Sequence, residues 1–396
     1  SILKCMTGEE RILAAINHRE PDRIPYDLSG TTVTSITRNA YARAMLFRGI
    51  SPETDAAETD PIQQIVTPSE SNLRILGSDT RRIGARRIPW YPEHSIQKGT
   101  VTEVTDFYGC KWQMDSNRDL YFNQISFPLM DSDTLSGSLY MLQRVSWPDY
   151  TGTLFRDLSG QIEKVGDNCC IADRNTAGFT ENSLRIRGYE KWFLDTLTDL
   201  PGVEALLDII LEDKVRYWNE VVRWAEETGN GYRIKVISEC DDLGTQTSTI
   251  LDPGLLRQVV IPRLKTLFSY IKGRLPHVKI FMHTCGSVRE LIPDLIDAGM
   301  DILNPVQFTA KGMDLKGLKK DFGDTITFWG GGVDTQSTLN KGTTRQVRDE
   351  VRRIIDIMAP GGGFVFAPVH NIQDDVPPEN FWAMWDTLQE YGKHGT

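Results

Sequence analysis

A histidine and a cysteine stand two positions apart at His283-Thr284-Cys285, where the apolar run 278–283 ends and just before Gly286. Imidazole and thiolate are two of the donor types that hold tetrahedral zinc. In a strand, residues two apart project to the same side, so the pair would leave the carboxyl end of a buried strand together. The same spacing suits a hydrogen-bonded core histidine beside an inert buried cysteine. A second histidine, His370, closes the run Phe364-Val-Phe-Ala-Pro-Val-His370. If those two strand ends meet, His283, Cys285 and His370 supply three ligands and leave a fourth position open, which is the catalytic kind of zinc site.

Acidic residues gather at another strand end, Glu239-Cys240-Asp241-Asp242. Glu239 is a candidate fourth ligand, or a carboxylate that orients a ligating imidazole; the alternative is an acidic strand end paired with lysine or arginine. Asp241 and Asp242 suit an acid/base pair, or merely a cap for the following turn. Glu239, Asp241 and Asp242 are thus the catalytic candidates beside the three metal candidates. Cys240 should point away from Glu239 and is read as structural. Cys5, Cys110, Cys169 and Cys170 have no partner by spacing, and six cysteines in 396 residues do not make a disulfide framework. The Gly330-Gly331-Gly332 run lacks the spacing of a dinucleotide-binding turn and reads as a tight turn or close backbone approach.

The elements that must position these groups alternate along the chain. Apolar runs at 24–28, 80–88, 169–173, 232–241, 278–283, 301–304, 325–330 and 363–368 are followed, from residue 203 onward, by helical patterns at 203–227, 253–272, 288–298, from 315, at 344–358 and at 379–391. Strand and helix in alternation, with apolar strands, is the pattern of a parallel sheet covered by helices. About eight strands favour a TIM-type (β/α)8 barrel over an open sheet, with the active site at the carboxyl ends of the strands. Helices at 7–18, opened by Thr7 and Glu10 at capping-box spacing, and at 36–47 precede most of it. Residues 52–160 are irregular and aromatic, including Trp90, Tyr91, Trp112 and Tyr121. Alternation on both sides of Tyr108-Gly109 suggests a small antiparallel excursion, and the region reads as a cap inserted into a single domain spanning 1–396.

A net charge of −10 argues against a nucleic-acid partner. No apolar run approaches the ~20 residues that span a bilayer, and the start of the chain has no signal-peptide pattern. A soluble, cytoplasmic protein is expected.

Several stretches together resemble the uroporphyrinogen decarboxylase superfamily: Glu20-Pro-Asp-Arg-Ile-Pro, Asp241-Asp-Leu-Gly-Thr-Gln-Thr-Ser, His283-Thr-Cys-Gly-Ser and His370-Asn-Ile-Gln-Asp-Asp-Val-Pro-Pro-Glu-Asn. The resemblance implies a TIM-type barrel. Decarboxylases of this superfamily carry an Arg-rich Met-Arg-Gln-Ala-Gly-Arg run, absent here, where Asp27-Leu-Ser-Gly-Thr-Thr stands instead. Its corrinoid-dependent zinc methyltransferases take ligands from an H-x-C pair and a later cysteine in Pro-Gly-Cys-Gly-Ile. The matching stretch here is Pro368-Val-His370-Asn-Ile, so histidine replaces that cysteine. Leu76-Gly-Ser-Asp-Thr-Arg-Arg and Thr105-Asp-Phe-Tyr-Gly-Cys-Lys-Trp resemble the members that demethylate aryl methyl ethers. The resemblance then implies a zinc enzyme that passes the methyl group of a small methoxylated aromatic to the cob(I)alamin of a separate corrinoid protein. The alternatives it leaves are a methylcobalamin:thiol methyltransferase of the coenzyme M type and a decarboxylase. The oligomeric state stays open, a homodimer among the options.

Overall fold

The computed structural model describes residues 5–54, 58–85, 95–144, 150 and 157–393. Trp90, Tyr91 and the end of the 80–88 run lie outside the described residues. Seven strands, β1 (Thr80–Ile83), β2 (Cys169–Ala172), β3 (Ile234–Cys240), β4 (Lys279–His283), β5 (Ile302–Asn304), β6 (Thr327–Trp329) and β7 (Phe364–Val365), pair in chain order in one parallel sheet. Residues 24–28 bridge its two edges. On one side Asp27 N donates to Phe366 O at 3.0 Å and Phe366 N to Pro25 O at 2.8 Å; on the other, Asp79 N donates to Tyr26 O at 2.8 Å. The expected first strand therefore completes a TIM-type α/β barrel. It lacks a regular ladder because Pro25 has no N–H to give and Tyr26 N donates to the Asp79 carboxylate instead, at 2.9 Å.

Side chains divide by the period of two. Ile171, Val236, Phe281, Ile302, Trp329 and Val365 meet inside the barrel, whereas Ala172, Ile237, Met282, Leu303, Phe328 and Phe364 join the helix-facing core. The helix Gly8–Ile16 covers the amino-terminal end, its Ile12, Ala15 and Ile16 joining the interior cluster. Its capping box is present as the spacing predicts, with Glu10 N donating to Thr7 Oγ1 at 3.1 Å and Thr7 N to Glu10 Oε2 at 2.9 Å. Ile12 is fully buried, so truncating it to alanine should cost about 2–5 kcal/mol.

Three helical expectations change. The 36–47 helix starts at Arg38 behind a two-residue strand, Ile36–Thr37, paired with Ile65–Val66. The 253–272 helix is two, Pro253–Val259 and Ile261–Arg274, because Pro262 cannot continue the hydrogen-bond ladder of the first. The 288–298 helix opens as a 3-10 turn, Arg289–Leu291, before Ile292–Ala298, which carries Pro293 in its first turn.

The excursion near Tyr108 is a four-stranded antiparallel sheet, Ser95–Lys98, Val101–Thr105, Lys111–Asp115 and Asn123–Ser126. Asp106 knits its central turn, accepting from Tyr108 N, Cys110 N and Trp112 Nε1, each at 2.9 Å. The sheet docks on the helix Phe179–Arg187: Gln124 Nε2 donates to Arg185 O at 2.7 Å, and the Arg185 guanidinium sits 5.1 Å from the Trp112 ring centre. Among the described residues no helix is long and apolar enough to cross a membrane.

Candidate metal centre

His283, Cys285 and His370 come together. Cys285 Sγ lies 3.4 Å from His283 Nε2 and 3.5 Å from His370 Nε2, with all three donor atoms within 4.8 Å of one another. Zinc bonds of about 2.3 Å to sulfur and 2.05 Å to nitrogen, at tetrahedral angles, require a sulfur–nitrogen separation of roughly 3.6 Å. Both sulfur–nitrogen separations fit that metal, and His283, Cys285 and His370 are the residues that would hold it.

The backbone brings them there in three ways. His283 ends β4 on the inward face, in register with Cys240. The strand stops at His283, so Cys285 reaches the site through a turn rather than by strand alternation. That turn needs Gly286: its φ is +84°, and a Cβ there would sit 2.5 Å from the carbonyl carbon of Gly244. His370 lies just beyond β7, between Val369, whose N–H donates to Val333 O at 3.0 Å, and Asn371, whose side chain accepts from Ser35 N at 2.8 Å and donates to Thr32 O at 2.8 Å.

His283 is also set in tautomer. Its Nδ1 lies 2.6 Å from Asn304 Oδ1, and Asn304 Nδ2 donates to the carbonyl of Trp329 at 2.7 Å. Because that carbonyl only accepts, the asparagine oxygen must face the ring, so Nδ1 carries the proton and Nε2 offers its lone pair to the trio. Burial drives His283 down to about 4, despite the opposing pull of Asp242, and also lowers His370. Both imidazoles are therefore neutral, as ligands must be. Burial, with the Asp242 charge behind it, raises the Cys285 thiol well above its ordinary value.

The three acidic candidates separate. Asp242 borders the trio: its Oδ1 is 3.6 Å from His283 Nε2 and accepts from Cys285 N at 3.0 Å. Burial would raise its carboxyl, but His283 and the Cys285 N–H outweigh that and hold it below the usual range. Asp241 takes a capping position, at a helix rather than at the turn that follows it. Its oxygens cap the helix Phe179–Arg187, accepting from Thr180 N at 2.9 and 3.0 Å and from Glu181 N at 3.3 Å. Burial lifts its carboxyl to about 7. Glu239 lies on the opposite face of its strand from Cys240, which is paired with His283. It is paired with Met282 across the sheet and faces the helices, where Lys214 Nζ and Trp218 Nε1, both on the helix Leu200–Thr228, each donate to it at 2.7 Å. The inward neighbour at that strand end is Cys240, whose buried thiol is pushed up to about 12.

Other strand-end groups serve the frame. Asp27 accepts from Thr80 Oγ1 at 2.6 Å, Gly30 N at 2.9 Å and Trp329 Nε1 at 2.8 Å. The glycine run is a close approach, since a Cβ on Gly332 would meet the Phe366 ring at 2.3 Å. Beside His370 opens a cavity of about 350 Å³, lined by Tyr121 from the antiparallel insertion and by Gln336, Asn340, Asn371 and Gln373 among others. Asn304 and Arg174 carried no role in the sequence reading. Asn304's position at a strand end was a usable signal, while Arg174 had none.

Residues 175–391, more than half of the chain, match the uroporphyrinogen decarboxylase (URO-D) family, and the protein belongs to it. Among solved structures, a methyltransferase from Methanosarcina mazei superposes with a TM-score of 0.63, at 20% identity, over 98% of this chain and 99% of its own. At that identity the likeness establishes a shared fold. An intracellular xylanase from Thermoanaerobacterium saccharolyticum (TM-score 0.37, 12% identity, 59% of this chain and 82% of its own) is too distant to argue from. The same holds for xylanase 10B from Thermotoga maritima (0.35, 10%, 63% and 83%). No curated protein matches the sequence.

Proposed function

We propose that the protein is a zinc-dependent methyltransferase that moves a methyl group from a methoxylated aromatic to the cob(I)alamin of a separate corrinoid protein. The observation that carries the reading is the convergence of His283, Cys285 and His370, with both sulfur–nitrogen separations near those of tetrahedral zinc. A methyltransferase with the same fold is consistent with it. His283, Cys285 and His370 would hold the zinc, and it would supply Lewis acidity toward an ether oxygen, easing departure of a phenoxide that is otherwise a poor leaving group. In that transfer the partner's Co(I) would donate both electrons of the new carbon–cobalt bond, becoming methyl-Co(III), and the phenoxide would keep the electron pair of the broken carbon–oxygen bond.

The chain's own groups bind and orient. Asn304 keeps His283 Nε2 directed at the trio. Asp242 holds the Cys285 backbone. The cavity against His370, at about 350 Å³, is large enough for a single substituted ring. No side chain need attack carbon.

The test combines metal analysis with turnover. Purified protein is expected to hold about one zinc per chain, and mixing it with methoxyaromatics and reduced corrinoid protein should remove the Co(I) spectrum. Full activity in metal-free protein would overturn the reading. Zinc without ether turnover, but with thiol methylation from methylcobalamin, would favour the thiol reaction; carbon dioxide release from a carboxylated substrate without zinc would favour a decarboxylase.

A further inference from the structure

Arg174 follows β2 at the carboxyl end of the barrel and is 3% exposed. Its guanidinium makes no hydrogen bond among the described residues: Nε and Nη1 are buried without a partner. The nearest carboxylate atom recorded for it, Asp173 Oδ1, is 3.6 Å from Nη1, beyond hydrogen-bond reach. That carboxylate is already engaged, by Arg82 Nε at 2.8 Å, Thr32 N at 3.0 Å and the Arg174 backbone N–H at 3.1 Å. Two guanidiniums thus face one carboxylate. Other acids nearby are committed elsewhere, Glu239 to Lys214 at 2.7 Å and Glu181 to Arg185 at 2.7 Å. Arg174 shares the rim with the trio: two residues on, Thr176 O lies 4.0 Å from the Sγ of Cys240, which is paired with His283 across the sheet. A neighbouring group is also unsatisfied, the buried hydroxyl of Thr32.

Buried guanidinium donors are normally paired, and arginine's planar fork matches a carboxylate in two-point contact. We infer that Arg174 is the docking group for a carboxylate on the small molecule that reaches the metal centre, making the methyl donor an anionic rather than a neutral ether. The inference rests on the proposed methyl transfer only for what lies at the ligand's other end.

Calorimetric titration tests it with three acids, acetate, benzoate and 3-methoxybenzoate, each against its neutral amide. Wild-type protein should bind at least one acid tenfold or more tighter than its amide, and Arg174→Gln should abolish that preference while leaving zinc content unchanged. Should Arg174→Gln fail to fold, Arg174→Lys, which keeps the charge without the fork, should keep the preference but weaken it threefold or more. No acid preferred over its amide in the wild type, or a preference unchanged in the variant that folds, overturns the inference. An acid preference that depends on Arg174 in protein unable to hold zinc would leave this inference standing and remove the methyl-transfer reading. Zinc-dependent turnover of neutral methoxyarenes with no acid preference would do the reverse.

Discussion

Asn304 and His283 are joined by a 2.6 Å contact between the amide oxygen and Nδ1, on a side chain whose other end donates to the Trp329 carbonyl at 2.7 Å. One residue with no metal-binding capacity of its own thereby decides which imidazole nitrogen is available. Replacing Asn304 with alanine should weaken zinc binding by about 10–100-fold. Asn304→Asp, which keeps the acceptor, should bind zinc at least as well as wild type. Competition with a chromophoric chelator measures both; equal affinity in the alanine variant would remove Asn304 from the account.

Glu239 and Lys214 form a fully buried ion pair on the helix-facing side of the sheet. Glu239→Ala should destabilise the fold by roughly 3–5 kcal/mol, because it strands a buried ammonium. The double variant Lys214→Met, Glu239→Leu should recover much of that loss. Denaturant unfolding reads the stability, and zinc per folded chain should be the same in all three proteins. Loss of zinc from a folded Glu239 variant would return Glu239 to the metal site.

Asp241 gives a pH dependence of known sign. In the fold its carboxyl is held near 7 by burial, while in the unfolded chain it titrates near ~3.9. Between those values the folded state keeps a proton that the unfolded state has lost, so this residue's contribution to stability falls as pH rises and levels off above about 7. Asp241→Asn should remove that slope, at most ~1.4 kcal/mol per pH unit. Comparing denaturation midpoints of the two proteins from pH 4 to 8 checks it; parallel curves would contradict it.

Much of this was readable in the chain because parallel strands are continuous apolar runs separated by helices: seven of the eight runs contain a strand of the parallel sheet, and the eighth, 24–28, bridges its edges. The convergence of His283, Cys285 and His370 was readable for a related reason, since strand ends in a barrel share one rim. What was hidden depended on partners far along the chain. The helix Phe179–Arg187 has Gly178 as its N-cap, with no side chain to signal a start, and its cap comes from Asp241, about sixty positions on. Glu239 and Cys240 point opposite ways, as alternation requires, but which of them faces inward is decided only by pairing His283 with Cys240. Arg174 is defined by the partners it lacks, which no local pattern encodes.

The central claim is that His283, Cys285 and His370 hold one catalytic zinc, and His370 tests it hardest because a cysteine stands there in the methyltransferases the sequence resembles. Zinc per chain should be measured in wild type, His283→Ala, Cys285→Ala and His370→Ala, after dialysis against a weak chelator. The account predicts about one zinc in the wild type and a large loss in each variant, with His370→Cys restoring it. A His370→Ala protein that keeps full zinc and full methyl transfer would contradict it.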